Sequence, residues 1–296
     1  MKRRYLPCYG QLPLRPYVDD VRRSKASLTG DIRKHEIASR YIGERDILVY
    51  LPPGYSDQDS YRYPYALLQD GQNVFDARTS VFGVEWSVDE TAEKLIAEQQ
   101  MAPVVLIAVY NSEDRVIEYT PFKDPEFGGG GSALYEAFLV EELLPLLGSR
   151  YSLSKRAEDR AVVGSSLGGL LALHLGWTRS DTFGMIGALS PSLWWSQRGL
   201  ITAIAGGGSP DPRPRIWLDG GTLESTADLN DNGVPDVIDD LRTLRAVLMS
   251  KGYEVDVDLH YCEVEGQTHD EAAWSARVGD VLRTFFPKRE PWRRDF

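Results

Sequence analysis

From residue 31 onward, short runs of β-forming residues trade places with stretches of helical spacing. Residues 32–38 and 46–51 flank Gly43, are rich in β-formers and end at Pro52-Pro53-Gly54, which predicts an antiparallel strand pair. A short apolar run follows at 65–69. Val88, Ala92, Leu95 and Ile96 then recur with helical period over 88–100. Residues 104–110 are almost continuously apolar, as expected of a strand buried on both faces. The alternation continues with a helix over 134–147, a strand at 160–163, a helix over 166–177 and strands at 183–189 and 216–218. A helix over 237–250, a strand at 255–261 and a closing helix over 271–285 complete it. This rhythm predicts βαβ units, hence a mostly parallel central sheet with helices on both faces and an antiparallel pair at its start. Residues 1–30 carry prolines and mixed charge without period and are expected to form an irregular arm packed on a single domain, 31–296. No internal repeat interrupts that domain, and the glycine runs at 128–131 and 206–208 read as loops.

Composition narrows the classes of function. In 296 residues, 42% are hydrophobic and 10% aromatic, enough for a large core. A formal charge of -11 argues against a nucleic-acid groove or an anionic membrane as the main partner, and no apolar run approaches the ~20 residues of a membrane span. Cys8 and Cys262 show no metal-binding spacing. The basic start lacks the apolar stretch of a signal peptide, because Pro7, Gly10, Pro13 and Pro16 interrupt at once. The expected location is cytoplasmic; a secreted protein stripped of its leader would read the same way.

The chemistry starts at Gly164-Ser165-Ser166-Leu167-Gly168-Gly169. G-x-S-x-G between an apolar strand and an apolar helix is a nucleophile elbow: a strained serine on a tight turn, at a helix N-terminus whose N–H groups face a developing oxyanion. Glycine is needed at 164 and 168, where side chains would collide with the strand and helix that meet there. Ser166 is therefore the expected nucleophile, and the Leu167 N–H the first oxyanion donor. The second should come from Asp70-Gly71-Gln72-Asn73, with Gln72 preferred.

Such an elbow takes its partners in the chain order serine, acid, histidine. Of His35, His174, His260 and His269, only the last follows the final strand in a loop before the closing helix, at the carboxyl end of the sheet. His269 is the expected base. Asp219, Glu224 and Asp228 all follow or end the strand at 216–218. Glu224 lies past the turn, where a carboxylate reaches the distal imidazole nitrogen, and is preferred over Asp228, with Asp219 more suited to local pairing.

These residues resemble the putative-esterase family of α/β-hydrolases, which includes esterase D, enterochelin esterases and feruloyl or acetylxylan esterases. The resemblance runs from about Ile32 to the C-terminal helix. It rests on Leu68 to Asn73, Glu85-Trp86-Ser87-Val88-Asp89-Glu90, Arg115 with Glu118-Tyr119-Thr120, Gly164 to Gly169, Ser190-Pro191-Ser192-Leu193-Trp194-Trp195, and His269-Asp270-Glu271. It implies the α/β-hydrolase fold and an acyl-enzyme hydrolase without an organic cofactor. The substrate would be a small or carbohydrate-linked ester, and the acid would sit in a turn matching 221–224. It also implies that Trp194 and Trp195 wall the substrate pocket, with Arg115 and Tyr119 nearby. Gln69 stands where the family usually has histidine. Acyl transfer on the same triad and a non-catalytic carbohydrate-binding role are the alternatives.

One further motif stands apart. Asp228, Asn230, Asn232, Val234, Asp236 and Asp239 fall at the ligand positions of a calcium loop, with Gly233 at its sharp turn. Asp replaces the usual Glu at the last position. The loop is expected either to hold a structural calcium ion or to cap the helix that follows it.

Overall fold

The computed structural model describes residues 28–57 and 60–288, so residues 1–27 of the expected arm lie outside the described residues. Val, Ile and Leu runs too short for helices form one sheet, in the order β1-β2-β4-β3-β7-β8-β9-β10. Its strands are β1 (Asp31–Ile37), β2 (Arg45–Leu51), β3 (Tyr65–Leu68), β4 (Val105–Val109), β7 (Arg160–Ser165), β8 (Met185–Leu189), β9 (Arg215–Gly221) and β10 (Leu259–Val264). A separate two-stranded ribbon pairs β5 (Lys123–Asp124) with β6 (Gly128–Gly129). The expected antiparallel start is present: β1 pairs with β2, and β2 with β4, both antiparallel. Every other neighbour in the large sheet is parallel.

The helices are α1 (Val88–Ala97), α2 (Arg115–Tyr119), α3 (Ser132–Ala137), α4 (Leu144–Arg150), α5 (Leu167–Thr178), α6 (Trp195–Gly206), α7 (Asp236–Ser250) and α8 (Glu271–Phe285). Strand pleating sends alternate side chains to opposite layers. Ile47, Val49, Leu67, Ile107 and Val162 join a core with Leu171 of α5 and Leu244 of α7. Leu48, Tyr50, Ala66, Leu106 and Val163 join a second with Ala92 of α1 and Val281 of α8.

Three expectations need correction. The helix over 134–147 is not continuous, because a π-helical segment, Phe138–Leu143, separates α3 from α4. Pro145, in the first turn of α4, cannot donate into that ladder. The strand placed at 255–261 begins four residues later. Glu254 and Asp258 close a tight turn instead, with the Glu254 N–H on Asp258 Oδ1 at 2.7 Å and Asp256 at φ 63°, so Val257 ends up exposed. Helix α6 was not foreseen; its first turn holds Ser196, Gln197 and Arg198 at positive φ, which breaks the helical pattern.

Candidate active site

Four parallel strands finish in one row. Ser165 on β7 pairs with Leu189 on β8, Leu189 with Asp219 on β9, and Asp219 with Cys262 on β10. Ser166, Ser190, Glu224 and His269 all lie just beyond that row, at the carboxyl edge of the sheet where α/β folds place their chemistry.

Ser166 turns the chain from β7 into α5 with φ 55° and ψ -123°, a conformation costing on the order of 1–3 kcal/mol for a non-glycine residue. It is 9% exposed, and its N–H donates to the Leu189 carbonyl at 3.1 Å. The steric reading of the elbow holds at Gly164, whereas at Gly168 the close neighbours are side chains of the loop after β3 and of α2, not the strand and helix. A Cβ at Gly164 would run into the Gly168 backbone, and one at Gly168 would press on Asp70 Oδ2 and Gln69 Cβ at 3.2 Å. The Ser166 hydroxyl lies 3.2 Å from the Ser192 hydroxyl, and the Ser192 N–H donates to the Ser166 carbonyl at 3.0 Å. Leu167 opens α5, in the first turn, whose N–H groups have no intrahelical acceptor.

His269 Nδ1 meets Glu224 Oε2 at 2.9 Å, so Glu224 rather than Asp228 or Asp219 is the carboxylate on the imidazole. A carboxylate on Nδ1 fixes the tautomer that leaves Nε2 unprotonated. The edge of the Trp274 ring packs against the imidazole at 5.1 Å. Asp270 caps α8 by accepting the Ala273 N–H at 2.9 Å, and the Thr268 hydroxyl and that N–H hold its carboxyl below the usual range. Asp219 is fully buried; burial lifts its carboxyl to about 6 while Arg277, at 3.3 Å, pulls the other way. The other histidines are engaged elsewhere: His35 with the Tyr151 hydroxyl at 2.6 Å, His260 stacked on Trp217, and His174 on α5.

The loop after β3 forms one 3-10 turn, Gly71–Asn73. The Gln72 side-chain carbonyl accepts the Asn111 N–H at 3.2 Å. Asp70 precedes it at φ 55° and is clamped. Arg115 donates from Nε and Nη2 to its two carboxylate oxygens at 2.7 Å each, Asn111 adds a third bond at 2.6 Å, and the Asp70 N–H donates to the Tyr119 hydroxyl at 3.1 Å. Asn73 Nδ2 ties the loop to Glu271 at 3.2 Å.

Of the residues expected near the pocket, Tyr119 is fully buried beneath the loop and so lines no open space, while Arg115 is paired with Asp70 and keeps its side chain 28% exposed. Trp195 is buried, with Nε1 donating to the Phe122 carbonyl at 2.7 Å; Trp194 is half-buried against Phe127. The open space next to the base is a groove of about 420 Å³, lined beside His269 by the apolar Phe82, Val84, Ala272 and Trp274 and by the acidic Asp270 and Glu271. Phe82 and Val84 sit in a loop whose sequence carries no period, and Trp274 is read from sequence only as one apolar position of α8.

The 228–239 loop folds on itself. Asp228 accepts the N–H groups of Asn232 and Gly233 at 3.1 and 2.8 Å, and Asn230 and Asn232 turn their amide nitrogens to Asp239 at 2.9 and 2.8 Å. Asp236 accepts the Leu229 N–H at 3.2 Å. These bonds shape a turn that leads into α7.

A family model described as a putative esterase matches residues 39–285. The chain belongs to this family. Among curated relatives of this esterase family, the uncharacterized protein YbbA of Bacillus subtilis is 29% identical over 169 residues, 55% of this chain and 62% of its own length. The iron(III) salmochelin esterase of Escherichia coli is 26% identical over 253 residues, 80% of this chain and 53% of its own length. The chain thus spans less than two thirds of either relative. The enterobactin esterase of Shigella flexneri superposes with a TM-score of 0.67 at 23% identity, over 88% of this chain and 60% of that one. That likeness shows the shared α/β-hydrolase fold.

Proposed function

We propose that the chain is a serine carboxylic-ester hydrolase working through an acyl-enzyme, with Ser166 as nucleophile, His269 as base and Glu224 as the third member. The observation that carries this reading is the 2.9 Å contact between His269 Nδ1 and Glu224, at the sheet edge that also bears a strained serine on a nucleophile elbow. His269 Nε2 takes the Ser166 proton as Oγ attacks the ester carbonyl. The N–H groups of Leu167 and Gln72 hold the oxyanion, and His269 returns the proton to the departing alcohol. Water, activated the same way, then releases the acid. Glu224 keeps its charge throughout and stabilises the imidazolium. No step calls for an organic cofactor.

The groove is lined by His269 itself, and its Phe82, Val84 and Trp274 offer apolar and aromatic surface to an ester, with Asp270 and Glu271 adding acidic groups to the wall. Relatives named for salmochelin and enterobactin make siderophore esters the first natural substrates to try. The direct test is a p-nitrophenyl ester chain-length panel on wild type, Ser166→Ala and His269→Ala. Hydrolysis by wild type that both substitutions abolish is expected; hydrolysis surviving in Ser166→Ala would end the reading. Product analysis with a sugar acceptor present separates hydrolysis from acyl transfer.

A further inference from the structure

Behind Glu224 lies a buried hydroxyl that the mechanism above does not use. Ser190 follows β8 at φ 44°, a left-handed conformation unfavourable for serine, and is 3% exposed. Its N–H is pinned to the Asp219 carbonyl at 2.9 Å. Its Oγ has three partners: Glu224 Oε1 at 2.5 Å, Trp274 Nε1 at 3.0 Å and Arg277 Nη2 at 2.9 Å.

The direction of these bonds is determined. A hydroxyl has one proton and two lone pairs, while indole and guanidinium nitrogens only donate. Trp274 and Arg277 therefore fill both lone pairs, and the proton goes to Glu224. Oε1 of Glu224 also accepts the Gly221 N–H at 2.5 Å, which leaves Oε2 for His269. The edge contact of Trp274 with His269 closes a ring of four side chains. Trp274 and Arg277 stand three residues apart on α8, hence on one face of the helix that His269 introduces.

We infer that Ser190 is a positioning residue for the proposed hydrolysis: its hydroxyl, locked as a donor by Trp274 and Arg277, holds Glu224 in the orientation that presents Oε2 to His269. The alternative is a hydroxyl that serves only to satisfy two buried donors. This inference rests on Glu224 being the third member of the triad.

A double-mutant cycle on the full chain, with p-nitrophenyl acetate as probe, tests it. Ser190→Ala is expected to lower kcat by about tenfold to a hundredfold with little change in KM, the scale of a small misplacement of a catalytic group. In a Glu224→Gln background the same change should cost less than about twofold, because there is no carboxylate left to orient. Trp274→Phe, which keeps the ring but frees one lone pair, should give a smaller loss that also fades in Glu224→Gln. It decides the matter alone should Ser190→Ala fail to fold. Full kcat in Ser190→Ala, or equal losses in both backgrounds, overturns the inference while the triad stands. Wild-type kcat in Glu224→Gln overturns the triad and the inference together.

Discussion

A carboxylate with its lone pairs already taken makes a poor ligand and a good strut, and Asp70 is such a carboxylate. It carries the turn that presents Gln72, packs on Gly168 and receives three charged or amide donors. Arg115→Ala should lower kcat far more than it raises KM, and Arg115→Lys should recover only part, because an ammonium cannot reproduce the two-pronged bond. Steady-state kinetics of the two variants check this. The role given to Gln72 is equally specific. Gln72→Ala keeps the backbone N–H and should stay within several-fold of wild type, whereas Gln72→Pro removes that N–H and should lose on the order of a hundredfold or more in kcat. Equal activity in the two would place the second donor elsewhere. Ser166, His269 and Glu224 are legible in the sequence because each follows a strand end in the order the elbow demands. Arg115 and Tyr119 enter the sequence reading only through the family resemblance, and the fold shows that Arg115 pairs with the Asp70 carboxylate while the Tyr119 hydroxyl accepts the Asp70 N–H.

At the scale of elements, apolar period finds the strands and helices wherever burial dictates the residue. The closing helix, α8, occupies the span its pattern predicts, with Trp274, Val278, Val281 and Phe285 on the buried side. Arg277 interrupts that face, and a charge amid apolar positions is a hint of the circuit around Ser190. Reading fails where local hydrogen bonds outcompete period, as in the turn closed by Glu254 and Asp258, and where residues at positive φ open a helix, as in α6. The 228–239 turn is legible as an oxygen-rich loop, and several of those oxygens accept N–H groups of the same turn. Asp228→Ala removes the side-chain acceptor of the Gly233 N–H and one of the two acceptors of the Asn232 N–H, and should cost about 1 kcal/mol of stability or less. The drop in Tm should be the same with and without EDTA; a drop confined to EDTA-free buffer would assign the loop to calcium.

For the whole molecule, buried acids set the pH dependence of stability. Burial lifts the carboxyls of Asp219 and Asp240 to about 6, against Arg277 and Arg198 respectively, and lifts that of Asp89 as well. Each holds its proton more tightly folded than unfolded, so its contribution is complete below the unfolded value of 3.8 and is lost as pH rises through about 6 for Asp219 and Asp240. A shift of that size corresponds to at most about 3 kcal/mol for Asp219. Asp219→Asn should remove a component of stability that declines as pH rises between about 4 and 7, read as the difference between wild-type and variant denaturant melts; an unchanged slope would mean that Asp219 stays ionised in the core. Asp270, held low by Thr268 and the helix cap, works the other way and is lost only in acid.

Ser166, Glu224 and His269 follow three strands whose mutual register is fixed by the sheet, and four residues after Glu224 comes the 228–233 turn, exposed from Leu229 onward. Glu224 is fastened upstream of that turn, by Gly221 and Ser190, and not by anything the turn's tip supplies. The tip is thus mechanically uncoupled from the chemistry: a peptide tag spliced between Asn230 and Asp231 should leave turnover intact, making this the natural place to graft a reporter or tether onto a working catalyst.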